Sequence, residues 1–175
     1  MVPVNILVAV HGFEPAGWTR EVPRVIAAHG YARLRVLMVL DTPPVSFTSL
    51  VPAARRRYDA ALAENRQRET ARVSATVGEL ITALPFPPEV QRVRAWRSDS
   101  GRSIVAHAAL WRADVVIVGR DARSRFQRAA LDPVHERVVR LAGCAVLVIP
   151  APEVAATARR RIRRFGPAAP AGNHS

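Results

Sequence analysis

The chain has 175 residues, of which 49% are hydrophobic and 23% are charged, and its formal net charge is +12. This length and composition suit one folded domain with a short additional segment, and they exclude a disordered polymer. All 26 cationic residues are arginine. The lack of lysine excludes a Walker-type phosphate lysine, a Schiff-base lysine and a lysine general base within this chain.

The sequence also indicates where the protein resides. Cys144 is the only cysteine, so no disulfide can form within the chain, as is usual in a reducing cytoplasm. The apolar runs are far shorter than the roughly 20 residues of a membrane helix. The first residues, MVPVNILVAVHG, lead directly into a strand-like pattern without the features of a signal peptide. We therefore expect a cytoplasmic protein with no membrane segment, and a buried structural role for Cys144.

The first third of the chain predicts a strand, a helix and a second strand. Residues 5–10 (NILVAV) form a continuous apolar run, which is typical of a strand buried on both faces of a parallel sheet. Residues 16–29 have helical spacing, and Pro23 within them predicts a kink or a late helix start. Residues 33–40 (RLRVLMVL) are the second predicted strand.

The longest periodic segment covers residues 53–84 and predicts a long amphipathic helix. Its apolar face is predicted to run the whole length, with arginines and glutamates on the other face. Prolines at 85, 87 and 88 end this helix. Residues 90–96 (VQRVRAW) alternate and predict a third strand.

The last third predicts two further pairs of helix and strand. A helix over residues 103–112 precedes a buried strand at 114–119 (DVVIVG), and a helix over residues 133–142 precedes a fifth strand at 145–150 (AVLVIP). The complete order, β-α-β-α-β-α-β-α-β, predicts an α/β fold. We expect a single-domain, open, mostly parallel five-stranded sheet with helices on both faces, of the Rossmann-like type, over residues 1–150.

Residues 151–175 are predicted to be a basic, disordered tail outside this domain. They contain the run RRRIRR at 159–164 and only one acidic residue, Glu153. Two interpretations remain open for the tail. It is either an inert solvated segment, or a segment that binds nucleic acid or another polyanion through its arginines.

Ligands of open parallel sheets bind beyond the carboxyl ends of the strands, where the strand order reverses. This rule directs attention to His11 and Gly12 after the first strand, and to Gly119 after the fourth. His11 is either a ligand-binding or basic group, or a helix-facing side chain bonded to backbone. The histidines and the single cysteine have no metal-ligand spacing, and no catalytic Ser-His-Asp set is present. We therefore assign neither metal ligands nor catalytic residues.

Three stretches resemble the universal stress protein family. They are NILVAVHGFE, SGRSIVAHAALWRADVVIVGR and VHERVVRLAGCAVLVIP, and the resemblance extends over roughly residues 3–150. It implies a homodimer that pairs through the last strand, residues 145–150. That apolar run would otherwise be an exposed sheet edge.

Many members of this family bind ATP through a motif that this sequence matches only at its start. The motif is a glycine, two residues, a glycine, nine residues, and then glycine with serine or threonine. The aligned positions here are Gly119, Ala122, Asp132 and Pro133. Alanine at 122 cannot adopt a left-handed conformation as freely as glycine. Asp132-Pro133 predicts a helix start with aspartate at the N-cap and proline in the first turn, so that a carboxylate occupies the natural anion site.

Two further positions bear on the nucleotide. The family has an aspartate after the first strand, and here that position is His11. Val39 matches the apolar residue that lies beside adenine in the family. The loop arginines, among them Arg120 and Arg123, are either a phosphate clamp or a solvated basic loop. The candidate nucleotide-binding residues are therefore Val39, Gly119, Arg120 and Arg123.

Three functions remain as hypotheses. The first is a non-enzymatic regulatory or interaction module with an eroded nucleotide site, without a cofactor and with an unidentified protein partner. The second is a nucleotide binder that holds ATP through loop arginines. The third is a polyanion or nucleic-acid binder that uses the arginine-rich tail.

Overall fold

Five parallel strands form one sheet in this computed structural model, which describes residues 4–28, 32–41, 51–120 and 133–150. The strand order is β3-β2-β1-β4-β5, with every neighbouring pair parallel. The strands are β1 Val4–Val10, β2 Ala32–Asp41, β3 Glu89–Ala95, β4 Val115–Gly119 and β5 Ala145–Ile149. The predicted α/β fold is confirmed.

Among the described residues, four helices alternate with the strands in the predicted order. They are α1 Trp18–Ala27, α2 Pro52–Ala83, α3 Ser100–Leu110 and α4 Val134–Leu141, and a short 3-10 turn at Arg97–Asp99 precedes α3. None of the helices in the described part of the chain is long and apolar enough to cross a membrane.

The sheet has a hydrophobic cluster on each face because alternate side chains of a strand point to opposite sides. Ile6, Val8 and Val10 of β1 lie in the cluster that contains α1 and α2. Leu7 and Ala9 lie in the cluster that contains α3 and α4. Burial on both faces explains why β1 is an uninterrupted apolar run instead of an alternating one.

Pro23 predicted either a kink in α1 or a helix that starts only near the proline. The helix starts at Trp18, so Pro23 lies inside the helix and the late start is wrong. Proline removes one backbone hydrogen bond from the helix interior. Burial of Trp18, Val22 and Ile26 on one face supplies the packing that holds the helix together nevertheless.

The apolar face predicted for α2 is buried only in the second half of the helix. Its buried residues are Val73, Val77 and Leu80, and no residue from Pro52 to Arg72 is buried. The first half is exposed because α2 is longer than the strands on which it packs. A helix of 32 residues is about 48 Å long, whereas a strand of ten residues spans about 33 Å, so the helix extends past the sheet. The predicted face is therefore wrong for the first half of the helix.

Cys144 lies in the turn between α4 and β5 and is half-buried, so the prediction of a buried thiol is only partly met. Its thiol borders a small groove of about 140 Å³, which Ala108, Arg112 and Gly143 also line. Burial raises the pKa of the Cys144 thiol, and the negative charge of Asp114 raises it further. The protonated thiol is therefore the favoured form at neutral pH.

We expect iodoacetamide to alkylate Cys144 several-fold more slowly at neutral pH in the folded protein than in the urea-unfolded chain, because the thiolate is the nucleophile. The raised folded-state pKa also has a consequence for stability. The contribution of the Cys144 thiol to the free energy of unfolding is fully present below the pKa of the unfolded thiol. This contribution is lost as the pH rises through the pKa of the folded thiol. The measurement is the alkylation rate against pH. Identical pH profiles for folded and unfolded chains would contradict the raised pKa.

Candidate functional site

The reversal in strand order places the ends of β1 and β4 at one crevice. These strands are neighbours in the sheet, but the helices that follow them lie on opposite faces. In open α/β sheets a ligand crevice lies beyond the carboxyl ends of two such strands, and we call the region between the ends of β1 and β4 the crevice. His11 follows β1 and Gly119 ends β4, so both reach the position predicted for a ligand.

The turn after β1 binds a carboxylate that belongs to the protein itself. The backbone N–H of His11 donates to Oε1 of Glu14. The backbone N–H of Gly12 donates to Oε2 at 2.9 Å and to Oε1 at 3.2 Å. Gly12 has φ +84°, a left-handed conformation that lets successive N–H groups point to one anion. The turn is therefore an anion-binding concavity with Glu14 as its occupant.

The same glutamate covers the end of β4. A Cβ at Gly119 would lie 3.0 Å from Cγ of Glu14 and 3.0 Å from Nε1 of Trp18. Glycine is favoured here because a larger residue would have to push the Glu14 and Trp18 side chains aside by a few tenths of an ångström. The Glu14 side chain is only 4% exposed, so it fills the crevice between the two strands.

Two buried polar side chains lie beside this carboxylate. The His11 side chain is 2% exposed, and its Nδ1 is 3.7 Å from Oε1 of Glu14, beyond hydrogen-bond distance. Trp18 is 1% exposed. Within the described ranges, neither ring nitrogen of His11 nor the indole N–H of Trp18 has a hydrogen-bond partner. The prediction that the His11 side chain bonds to backbone is therefore wrong within the described part of the chain.

One arginine packs against the turn after β1, and another directly follows β4. The Arg72 guanidinium of α2 lies over the Phe13 ring, 5.0 Å from its centroid, and it also lies near Gly12. Arg120 is exposed after β4, and its backbone N–H donates to the carbonyl of Ile149 at 2.8 Å. The turn after β1 is thus packed against an arginine of α2, a contact between residues about 60 positions apart in the chain.

The structure describes three of the four candidate nucleotide-binding residues. Val39 is buried in the second half of β2, within the cluster that contains α3 and α4. Gly119 lies beneath Glu14, and Arg120 is exposed beside it. Arg123 lies outside the described residues, as do Ala122 and the remaining loop arginines. The nucleotide-binding role of all four remains a prediction.

The predicted start of the last helix is wrong by one residue. Pro133 has ψ 137° and is itself the N-cap of α4, and the helix begins at Val134. An extended ψ is not that of a residue in the first helical turn, so Pro133 takes the N-cap position that was predicted for Asp132. Asp132 lies outside the described residues. The geometry of Pro133 therefore does not support the predicted capping of α4 by the Asp132 carboxylate.

Sequence reasoning missed Glu14, Trp18 and Arg72 as components of the crevice. The family's aspartate aligns with His11, whereas the acid that occupies the turn after β1 is Glu14. A signal for Glu14 was nevertheless present, because an acid four residues after the end of a strand can return to the free N–H groups of the turn. Among the described residues, no group of three or more His, Cys, Asp or Glu side chains could hold a metal ion.

Solved structures share this fold. The chain is similar to the universal stress protein UspA from Lactobacillus plantarum, with 21% identity and a TM-score of 0.55, over 85% of this chain and 99% of that one. It is also similar to a universal stress protein in complex with cAMP, with 17% identity and a TM-score of 0.55, over 86% of this chain and 99% of that one.

No curated protein matches the chain in sequence. A model of the universal stress protein family, in contrast, matches residues 5–150. This range includes the five strands and four helices of the described residues and the crevice at the ends of β1 and β4, apart from the first residue of β1. The chain therefore belongs to the universal stress protein family.

Proposed function

We propose that this protein is a non-enzymatic regulatory or interaction module of the stress response that does not use ATP. The observation that carries the proposal is the position of Glu14. Its carboxylate accepts hydrogen bonds from the N–H groups of His11 and Gly12, and its side chain lies directly over Gly119. The crevice between β1 and β4 is thus filled by a group of the protein itself.

The electrostatics of this arrangement oppose a triphosphate. A phosphate group in the crevice would meet the negative charge of Glu14, and its repulsion is strong where water is largely excluded. Displacing the carboxylate would break hydrogen bonds to a charged group, each of which contributes about 1.5–3 kcal/mol. Pro133 further weakens anion binding at the start of α4, since proline has no backbone N–H.

The test is a calorimetric titration of ATP with Mg²⁺ into the full chain at physiological salt. We expect no saturable heat, and the same for pyrophosphate with Mg²⁺, which controls for nonspecific attraction to the arginines. Saturable micromolar binding of ATP without binding of pyrophosphate would contradict the proposal. That result would show that Glu14 yields to a nucleotide.

The second candidate function is nucleotide binding with arginine contacts. It is favoured by the exposed position of Arg120 beside Gly119, and by the similar fold of a universal stress protein in complex with cAMP. Arginine can bind a phosphate bidentately without a glycine-rich loop. Titration of cAMP in the same calorimetric experiment separates the two candidates, and binding that Arg120→Ala abolishes would favour the second.

We further propose that the protein is a cytoplasmic homodimer paired through β5. Ala145–Ile149 form an edge strand of the described sheet, bonded to β4 on one side. An apolar edge strand is a template for pairing with another chain. An unidentified protein partner is also part of this proposal. Polyanion binding by residues 151–175 is an alternative that concerns residues outside the described ranges.

A further inference from the structure

We propose that the turn after β1 is a carboxylate-binding site whose internal ligand is Glu14, and that it binds a small free carboxylate when the Glu14 side chain is absent or displaced. The inference rests on the crevice of the proposed function. It goes further in assigning a ligand class to that crevice. The structure supports it with the bonds to Glu14 and with the unpartnered groups around it.

The hydrogen-bond donors that hold the Glu14 carboxylate are backbone N–H groups. Both oxygens of Glu14 accept hydrogen bonds, and the donors are the consecutive N–H groups of His11 and Gly12. The left-handed φ of Gly12 directs its N–H into the concavity. Because these donors belong to the main chain, they remain in the protein when the Glu14 side chain is removed.

The second part of the site is the pair of unpartnered side chains. The indole nitrogen of Trp18 and Cγ of Glu14 both lie 3.0 Å from the point that a Cβ of Gly119 would occupy, so both side chains border the same space above Gly119. The His11 ring lies 3.7 Å from the carboxylate. Both side chains are buried, and within the described part of the chain neither has a hydrogen-bond partner. A free anion, which has no tether to the backbone, can approach these donors more closely than the Glu14 carboxylate does.

The shape of the site selects a carboxylate over a larger anion. Glu14→Ala removes one methylene and the carboxylate, which together have the size of acetate. Acetate therefore replaces the missing atoms, with its methyl group in the position of Cγ above Gly119. Phosphate is larger than the space that Glu14→Ala leaves. It also carries more oxygens and more charge than two N–H donors can bind.

The experiment measures urea unfolding of full-length Glu14→Ala in sodium acetate, sodium phosphate and sodium chloride at matched ionic strength. We expect saturable stabilisation by acetate with a dissociation constant of about 10 mM, as is reasonable for four heavy atoms. At 100 mM acetate the folding equilibrium constant then rises about tenfold over chloride. Equal responses to acetate and chloride, or a phosphate response as large as that to acetate, would overturn the proposal.

Three controls separate the site from general salt effects. The wild type and Glu14→Gln keep the crevice filled, so neither should respond to acetate. Glu21→Ala removes a half-exposed glutamate of α1 that pairs with Arg24, and it should behave like the wild type. A response of these proteins equal to that of Glu14→Ala would contradict a site at Glu14.

Failure of the variant to fold in chloride does not end the test. The refolding yield of Glu14→Ala then becomes the measurement, and the proposal expects a higher yield in acetate than in chloride. A yield that acetate does not change would overturn it. The proposed function fails separately, by ATP binding to the wild type, so the two results are distinguishable.

Discussion

Replacing Trp18 by alanine is expected to lower the free energy of unfolding by about 3–5 kcal/mol, the usual cost of deleting a large buried aromatic side chain. Trp18 begins α1 and is 1% exposed within the cluster between α1, α2 and the sheet. Its removal leaves a cavity at the point where α1 meets β4. Urea unfolding followed by circular dichroism measures this loss without depending on the fluorescence of the deleted residue.

Trp18→Phe tests the physical reason for this effect. Phenylalanine keeps most of the apolar area and removes the indole N–H, which has no partner in the described part of the chain. An unsatisfied buried donor costs about 1–3 kcal/mol, so its removal offsets part of the lost packing. We expect Trp18→Phe to lose less than half as much stability as Trp18→Ala. Equal losses would show that the indole N–H has a partner that stabilises the fold.

Trp96→Ala is the matched control, because it makes the same change at a position that is 42% exposed. We expect a loss well under half of that for Trp18→Ala, since less apolar area leaves contact with protein. A similar loss at both positions would mean that the cluster around Trp18 is not what makes its truncation costly.

The sequence predicted the fold well because each buried strand has a local signature. β1 is apolar on both faces, and so is β4, and this pattern requires no knowledge of which elements later pack against them. The family resemblance came from the same kind of local pattern. Strand bounds such as Ala145–Ile149 differ by only a residue or two from those predicted.

The crevice could not be predicted as well, because its contacts depend on conformation and on distant residues. The return of Glu14 to the turn requires the left-handed φ of Gly12. The approach of Arg72 requires α2 to pack against the turn from about 60 residues away. The N-cap at Pro133 depends on a single ψ angle, and a shift of one residue was enough to make the prediction wrong.

The exposed first half of α2 was missed for a different reason. Helical periodicity shows which residues share a face, but it does not show whether any surface lies opposite that face. Tyr58 and Leu62 share the predicted face, yet neither is buried. Only the length of the helix relative to the strands explains where burial ends, and that comparison needs the position of the helix on the sheet.

Gly12→Ala is expected to destabilise the fold by about 2–5 kcal/mol, through left-handed strain and overpacking together. Gly12 has φ +84°, which alanine adopts only at a cost. A Cβ there would also lie 2.9 Å from Cγ2 of the buried Val73. Gly78→Ala is the control, because Gly78 lies in α2 and a Cβ there meets nothing within 4 Å. That substitution should stabilise the protein by about 0.5–1 kcal/mol, since alanine favours helix.

The two causes at Gly12 can be separated. Val73→Ala makes room beside the added Cβ but leaves φ unchanged, so Gly12→Ala should cost less in a Val73→Ala background than in the wild type. The difference between the two costs is the crowding contribution. Additive losses would instead assign the whole effect to φ. In either case Gly12→Ala should displace the N–H that holds Glu14, because the donor and the strained angle belong to the same residue.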